Sequence, residues 1–276
     1  MSDNQVLDVL MSRRSIRRFQ DRPVPDDRVY TIVRAGQRAP AAGEFCSVVW
    51  VKSPEKRKEL ETLLPSFPIC RNAPVALIIC VDFNKVEKVV RLGGREMKRH
   101  DGLMLFLVGV QDAALVAENI TLAAESLGLG SVLQGGVVRV MEGLAPLLNL
   151  PMGVFPLVGL CVGYPAEDPP VRPRMPFEYF LFEDEYCELD EEDVDRLVEH
   201  MDRGRLEERY YEKYSGRIQV PPEDERPLIK GRYGWAEHYS RKWGTRVQSA
   251  WKEGYLLECL HKRGVLNDVV WRNKEE

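Results

Sequence analysis

The run Pro74-Val75-Ala76-Leu77-Ile78-Ile79-Cys80-Val81-Asp82 constrains the fold more than any other stretch. It is continuously apolar and lacks the polar alternation of a half-exposed strand, so the strand it forms must be covered on both faces. Phe155 to Tyr164, interrupted by two glycines, reads as another buried strand. The clearest helix runs from Asp112 to Leu127. There Ala113, Val116, Ile120, Ala123 and Leu127 recur at spacings of three and four, and Leu115, Ala117 and Ala124 make it apolar nearly all round. A helix of that kind belongs in a core, and Gly128 stands where it can end.

Local signals place the remaining elements. Asp3 or Asn4 caps a first helix that runs to about Met11. Asp26 starts a second, with the stripe Val29, Ile32/Val33, Gly36, ending near Ala39-Pro40-Ala41-Ala42-Gly43. Ser47 to Val51 is a strand by its β-branched and aromatic content, and Ser53-Pro54-Glu55 opens a helix to about Leu64. Lys85 to Asp101 reads as a loop or a peripheral helix, Ser131-Val132-Leu133 as a short apolar segment, and Met141 to about Leu148 as a helix. Phe177 to Tyr186 looks strand-like. An acidic helix follows from about Asp190 to Tyr211, with Val194, Leu197, Val198 and Met201 on one side. The tail from Pro221 is aromatic and basic and adds a further helix or two before Gly264. Helices and strands are thus mixed along the chain, with helices between strands.

Composition removes several functional classes. The net charge of −4 over 276 residues provides no general field for nucleic acid. Six cysteines lie far apart with no C-x-x-C pair, and four histidines show no ligand spacing with them, which argues against a structural zinc site. No apolar stretch approaches the roughly eighteen residues of a membrane span, and the N-terminus lacks the apolar segment of a signal peptide. The expected compartment is the reducing cytosol, with free thiols. No Gly-x-Gly-x-x-Gly turn follows a first strand, so a redox enzyme here is not built on a standard dinucleotide-binding domain.

The charge is unevenly distributed. Ser12-Arg13-Arg14-Ser15-Ile16-Arg17-Arg18-Phe19 packs four arginines and two hydroxyls into eight residues. Guanidinium forks with serine hydroxyls suit a phosphate better than a lone carboxylate, although taken alone an arginine run is more often a solvated surface. Arg13 and Arg17, four apart, share a face if the segment is helical, and Arg14 and Arg18 then point elsewhere.

An ordered set of segments resembles the flavin-dependent nitroreductase family, in its oxygen-insensitive NAD(P)H nitroreductase and flavin reductase branch. The set comprises Arg13 to Phe19, Arg38-Ala39-Pro40, Ala73-Pro74 into Cys80-Val81-Asp82-Phe83-Asn84, and Val110-Gln111-Asp112-Ala113 through Gly128-Leu129-Gly130. Gln134-Gly135-Gly136, Gly159 to Pro165 and Arg172-Pro173-Arg174-Met175-Pro176 complete it, in the family's order over roughly residues 5 to 190. Trp235 to His238 and Cys259 to Lys262 resemble the branch's tail more weakly.

The resemblance implies an α+β fold with a central, mostly antiparallel sheet flanked by helices and a C-terminal arm exchanged in a homodimer. Residues 1–190 are then the FMN-binding core, and 191–276 a helical extension packing on the core and the dimer partner. FMN is expected at the dimer interface. Arg13, Arg14, Ser15 and Arg17 would hold its phosphate and ribityl end, joined by Arg172 and Arg174. Gln134, Gly135 and Gly136 would lie along the ring, and the Ala41-Ala42 loop would touch the partner subunit's flavin. The implied activity is ping-pong hydride transfer from NAD(P)H through FMN to a small aromatic acceptor, which is a nitroaromatic, a quinone or free flavin. No side chain is assigned as catalytic, since the cofactor carries the chemistry.

Some positions depart from the branch. Ala41-Ala42 replaces a common Ser-Ser pair, and Glu44 and Phe67 stand where glutamines are frequent. These leave room for a flavin-dependent dehydrogenase, enone reductase or dehalogenase, or for a non-catalytic flavin-binding protein. Lys98, Arg99 and Arg232 could meet the phosphates of NADPH or simply face solvent.

Overall fold

The computed structural model describes residues 4–64, 73–97, 102–203, 205–206, 209, 227–244 and 254–266. The chain opens with α1 (Gln5–Ser12), whose first turn is closed by the Asn4 side chain accepting from the N–H groups of Val6 and Leu7. It continues through α2 (Asp26–Gly36), β1 (Cys46–Trp50), α3 (Pro54–Leu63), β2 (Val75–Asp82), α4 (Asn84–Leu92) and α5 (Gly102–Ser126). Next come β3 (Gly130–Gln134), a 3-10 turn at Gly135–Arg139, α6 (Met141–Leu147), β4 (Val154–Gly163) and a 3-10 turn at Phe177–Tyr179. The last elements are α7 (Glu191–Asp202), a 3-10 turn at Ile229–Gly231, α8 (Trp235–Trp243) and α9 (Tyr255–Lys262). Packing divides the chain into two units, Met1–Pro169 with Glu253–Glu276, and Pro170–Lys252. The resemblance divides the chain at residue 190, whereas its contacts divide it after Pro169 and Lys252.

The first unit is built on one sheet in the order β1-β2-β4-β3, with every neighbouring pair antiparallel. All of β2 is buried. Val75, Leu77, Ile79 and Val81 join Val29 and Ile32 of α2 and Ala113, Ala117 and Ile120 of α5. Ala76, Ile78 and Cys80 point the other way, to Leu60 of α3 and Leu144 of α6. Each large side chain so buried contributes about 1.5–3 kcal/mol, which is why the unalternating run had to become the middle of a layered unit. Gly36 lets α2 approach α5, since a Cβ there would stand 2.5 Å from Ile120 Cγ1. Gly128 takes φ +74 after α5, a left-handed conformation that glycine adopts without penalty.

α9 returns to this unit from far along the chain. Cys259 and Leu260, with Val265 and Leu266 just beyond, enter the same core as β2 and α5. Arg263 donates to the carbonyls of Leu150 at 2.7 Å and Val154 at 3.1 Å.

Several sequence readings change here. α5 begins at Gly102 rather than Asp112, because its first turns carry apolar side chains outward at Leu103, Met104 and Leu107 and so hide the period. With 25 residues and a mean hydropathy of 1.6 in its most apolar window, it is long and apolar enough to cross a membrane by length and composition alone. Gln111, Asp112 and Glu118 nevertheless interrupt its apolar run, and Ala113, Ala117 and Ile120 bury it in the core. Residues 84–92 form α4, so the helix alternative holds for that part of the Lys85–Asp101 segment. Among the described residues, Cys46, Cys80, Cys161, Cys187 and Cys259 are free thiols. Burial pushes Cys46 and Cys80 up to about 12, which keeps them protonated and inert.

The second unit packs α7 against α8 through Leu197, Val198, Met201 and Trp235. A reciprocal pair, Asp190 with Asp193, caps α7. Asp202, buried at its end, accepts from the N–H of Trp235 and pairs with Arg232 at 3.1 Å. Phe177 to Tyr186 is not a strand. After Pro176 the backbone curls on itself, with the N–H groups of Phe180 and Leu181 both donating to the Phe177 carbonyl at 3.0 Å. Aromatic content favours strands only where an edge is available to pair.

Candidate active site

α1 stops at Ser12, and Arg13 takes φ −58 and ψ 135, so the arginine segment leaves the helix extended. It runs along the free edge of β3. Ser15 bridges Ser131 in parallel, the Ile16 N–H donates to the Ser131 carbonyl at 2.9 Å, and the Gln20 N–H donates to Tyr164 at 2.9 Å. Ile16 and Phe19 anchor the segment among Ala73, Val132 and Cys161. The helical face shared by Arg13 and Arg17 therefore does not exist. An extended chain alternates instead, placing Arg13, Ser15 and Arg17 on one side and Arg14, Ile16 and Arg18 on the other.

The ion pairs follow that alternation. Arg14 donates to Asp168 and to the Ser12 carbonyl. Arg18 donates to Glu167 at 3.0 Å, and the same carboxylate accepts the N–H groups of Arg17 and Arg18. Burial pushes Glu167 up, but these hydrogen bonds outweigh it and hold its carboxyl below the ordinary value. On the other side, Arg13 stands 3.9 Å from Glu118. The guanidinium of Arg17 has one partner among the described residues, the Ser15 carbonyl at 3.2 Å. Glu125, hydrogen-bonded by Ser131 Oγ at 3.3 Å, is raised by burial despite the opposing charge of Arg13.

The same strand ends in Gln134, only 1% exposed. Its Oε1 and Nε2 are both buried, and neither has a hydrogen-bond partner among the described residues. The residue opposite on β4 is Gly159, where a Cβ would lie 3.2 Å from that of Gln134. Gly135 follows and is exposed; a Cβ built there meets nothing within 4 Å. Gly136 is buried under the 3-10 turn. Three strand steps separate Ser131 from Gln134, a distance of about 10 Å.

The loop Ala41–Phe45 is fixed from α5. Asp112, only 2% exposed, accepts the N–H groups of Ala42 at 2.8 Å, Gly43 at 3.2 Å and Phe45 at 3.0 Å. Those bonds hold Glu44 at φ +53, a left-handed conformation that costs about 1–3 kcal/mol for a residue with a side chain. The sequence marks Asp112 as a helix start and as part of the Val110-Gln111-Asp112-Ala113 segment, without pointing to this loop. The missed signal was an acid deep inside an otherwise apolar helix.

In the second unit, the Arg172-Pro173-Arg174 backbone is held by two side chains that the sequence did not single out. Arg205 donates to the Pro173 carbonyl at 3.3 Å, and His200 Nε2 lies 3.0 Å from the Arg174 carbonyl. The Arg174 guanidinium has no hydrogen bond or ion pair among the described residues. Arg232 is committed to Asp202. Lys98, Arg99 and Phe67 lie outside the described residues.

A sequence profile described as the Nitroreductase family matches residues 10–164, more than half of the chain. The chain belongs to the nitroreductase family. It is 38% identical over 191 residues to an FMN reductase [NAD(P)H] of Bacillus subtilis, covering 68% of this chain and 77% of that one. With an oxygen-insensitive NADPH nitroreductase of Salmonella typhimurium it shares 31% identity over 263 residues, 94% of this chain and 97% of that one. Its fold is similar to that of the NADPH:FMN oxidoreductase from Vibrio harveyi solved with NAD+, with a TM-score of 0.75 and 26% identity, covering 95% and 98% of the two chains.

Within this nitroreductase, the first unit brings Arg13, Arg14, Ser15 and Arg17 to the edge of the strand that ends at Gln134, with Gly135 and Gly136 opening the 3-10 turn that follows. Ala41 and Ala42 lie on the loop tied to Asp112. Arg172 and Arg174 belong to the second unit.

Proposed function

We propose that this chain is an FMN-dependent NAD(P)H oxidoreductase whose acceptor is a nitroaromatic, a quinone or free flavin, working by two half-reactions through one pocket. The observation that carries the reading is one strand edge with an underused guanidinium, Arg17, at one end and an unpartnered buried amide, Gln134, at the other. The donor set fits FMN. A phosphate monoester takes charge-assisted hydrogen bonds of about 1.5–3 kcal/mol each, which Arg13, Ser15 and Arg17 can offer. Arg14, already paired with Asp168, adds field more than contact. Arg172 and Arg174, their backbone steadied by Arg205 and His200, are proposed as further phosphate-binding residues.

Bound FMN supplies the hydride chemistry, taking electrons from NAD(P)H and yielding them to the acceptor. The protein's part is to bind and orient. Gly135 leaves open space into which a flat ring can come close to the backbone, and Gly136 N–H is available along the same turn. The Asp112-tied loop carrying Ala41 and Ala42 keeps a fixed wall without hydroxyls.

A second copy of the chain is proposed to complete the site. α1 exposes Val6, Leu10 and Met11, and α5 exposes Leu103, Met104 and Leu107. Exposed apolar side chains of this number suit an interface. Phe177 and Phe180, 70% and 76% exposed, suit an arm laid on the partner.

The test is the visible spectrum of the purified protein, followed by anaerobic addition of NADPH and then NADH. A yellow protein that bleaches and regains colour with a quinone or nitroarene, eluting as a dimer, is the expected result. A colourless protein that takes up no FMN on titration sinks the reading.

A further inference from the structure

We infer that Glu167 is a positioning residue for the cofactor phosphate: its carboxylate fills a bend in the arginine segment and so sets the direction in which the Arg17 guanidinium leaves the chain. The inference rests on the flavin reading above and goes beyond it by giving a carboxylate a part in assembling a site for an anion. Its basis is that one oxygen, Oε1, accepts two successive backbone N–H groups, those of Arg17 at 2.5 Å and Arg18 at 3.0 Å.

In an extended chain successive N–H groups face opposite ways, so two that converge on one oxygen mark a bend. The pairing on either side calls for one. Ser15 bridges Ser131 of β3, whereas Phe19 bridges Pro165, just beyond the end of β4. Between those bridges the chain passes from the edge of one strand to the extension of its neighbour, and Arg17 and Arg18 lie in between. The Ala166 N–H, donating to the Arg18 carbonyl at 2.9 Å, fastens the far side of the bend. Converging N–H groups of this kind form a small anion-binding concavity. Left empty, it would draw a phosphate to the backbone itself. Glu167 occupies it and leaves an incoming anion to the side chains of Arg13, Ser15 and Arg17.

The ion pair with Arg18 does not account for the carboxylate. The Arg18 side chain is 77% exposed against 17% for Glu167, and a pair with one end in solvent contributes little. The bonds from the two N–H groups are charge-assisted and act on the chain itself. Charge alone points the other way, because a carboxylate bonded to a phosphate-binding segment repels the ligand. Removing Glu167 therefore tightens FMN binding if only its charge matters and weakens it if the bend matters. The two accounts differ in sign.

The experiment titrates wild type, Glu167→Met, Glu167→Gln, Arg17→Ala and the double variant Arg17→Ala with Glu167→Met, each stripped of cofactor, with FMN and with riboflavin, which lacks the phosphate. Flavin fluorescence reports binding, and circular dichroism reports folding. Glu167→Met keeps the length and loses both acceptors. It is expected to bind FMN about tenfold more weakly than wild type, about 1.4 kcal/mol, with riboflavin affinity unchanged. Glu167→Gln, which keeps one oxygen for the two N–H groups, is expected to stay within about threefold of wild type. Without Arg17 the loss caused by Glu167→Met is expected to shrink below about twofold, because a residue acting through Arg17 then has nothing to position. Unchanged or tighter FMN binding by Glu167→Met overturns the inference while the flavin reading stands. An equal loss for FMN and riboflavin, or an undiminished loss without Arg17, also overturns it, since either marks a general structural role. If wild type binds neither flavin, the flavin reading falls and the inference with it. Should Glu167→Met not fold, Glu167→Ala makes the same comparisons.

Discussion

Asp112 and Gln134 are both polar, both almost fully buried, and both set among apolar neighbours, yet their hydrogen-bonding could hardly differ more. Asp112 accepts three backbone N–H groups from one loop and so builds that loop. Gln134 has two capable atoms and, among the described residues, no partner for either. Burial alone therefore does not tell whether a polar side chain serves the fold or a ligand. The number of satisfied bonds does. Arg18 and Arg17 repeat the contrast on the surface: one is locked to Glu167, and the other holds only a local carbonyl.

Replacing each member of the contrast should move a different property. Asp112→Ala has the largest expected effect. Three N–H groups lose a charged acceptor and Glu44 loses its restraint, so stability falls by about 3–5 kcal/mol, measured by urea unfolding. A loss under about 1 kcal/mol would break the comparison. Arg17→Ala should then weaken FMN binding by about 1.5–3 kcal/mol, while Arg18→Ala changes it little; equilibrium dialysis of both variants decides. Equal, small effects would return the whole segment to solvated surface.

Gln134→Leu should act with the opposite sign to Asp112→Ala, stabilising the cofactor-free protein by about 1–2 kcal/mol by removing an unsatisfied amide. Thermal melts without flavin test this. Gly135→Ala should leave that melt unchanged, because its methyl group meets nothing, while lowering flavin affinity if the open space is where the ring comes close.

The smallest expected effect concerns His238, a third buried polar group. Burial, then the charges of Lys242 and Arg205, lower it from 6.5 to about 4. The unfolded chain thus takes up the proton first, and stability present above pH 6.5 is lost as pH falls toward about 4. Acid unfolding followed by tryptophan fluorescence, compared with His238→Gln, should show a flatter profile in the variant over that window.

How much of this was legible beforehand depended on whether the deciding partner was near in sequence. β2 and the second half of α5 carried their environment in their own pattern, since burial on all sides leaves no room for polar residues. The nitroreductase resemblance likewise rested on segments readable one at a time. Phe177 to Tyr186 misled because its composition says nothing about whether a neighbouring edge exists. The four-residue spacing of Arg13 and Arg17 implied a shared helical face, but pairing with Ser131, far along the chain, drew the segment out straight. Asp112 with its loop, and His200 and Arg205 with the Pro173-Arg174 carbonyls, are bonds to backbone groups. Backbone acceptors and donors are the same at every residue, so no residue type at the other end marks them.

The return of α9 has a consequence for the order in which the protein is made. The core around β2 and α5 contains Cys259, Leu260, Val265 and Leu266, yet the whole second unit is encoded between β4 and α9. At typical synthesis rates the ribosome needs on the order of ten seconds to cross that interval. Throughout it the first unit waits with one wall of its interior missing, exposing apolar surface that only residues 255–266 can close. Chaperone dependence during synthesis, and sensitivity to truncation near the C-terminus, are the cost of a core whose last piece is translated after a second folding unit.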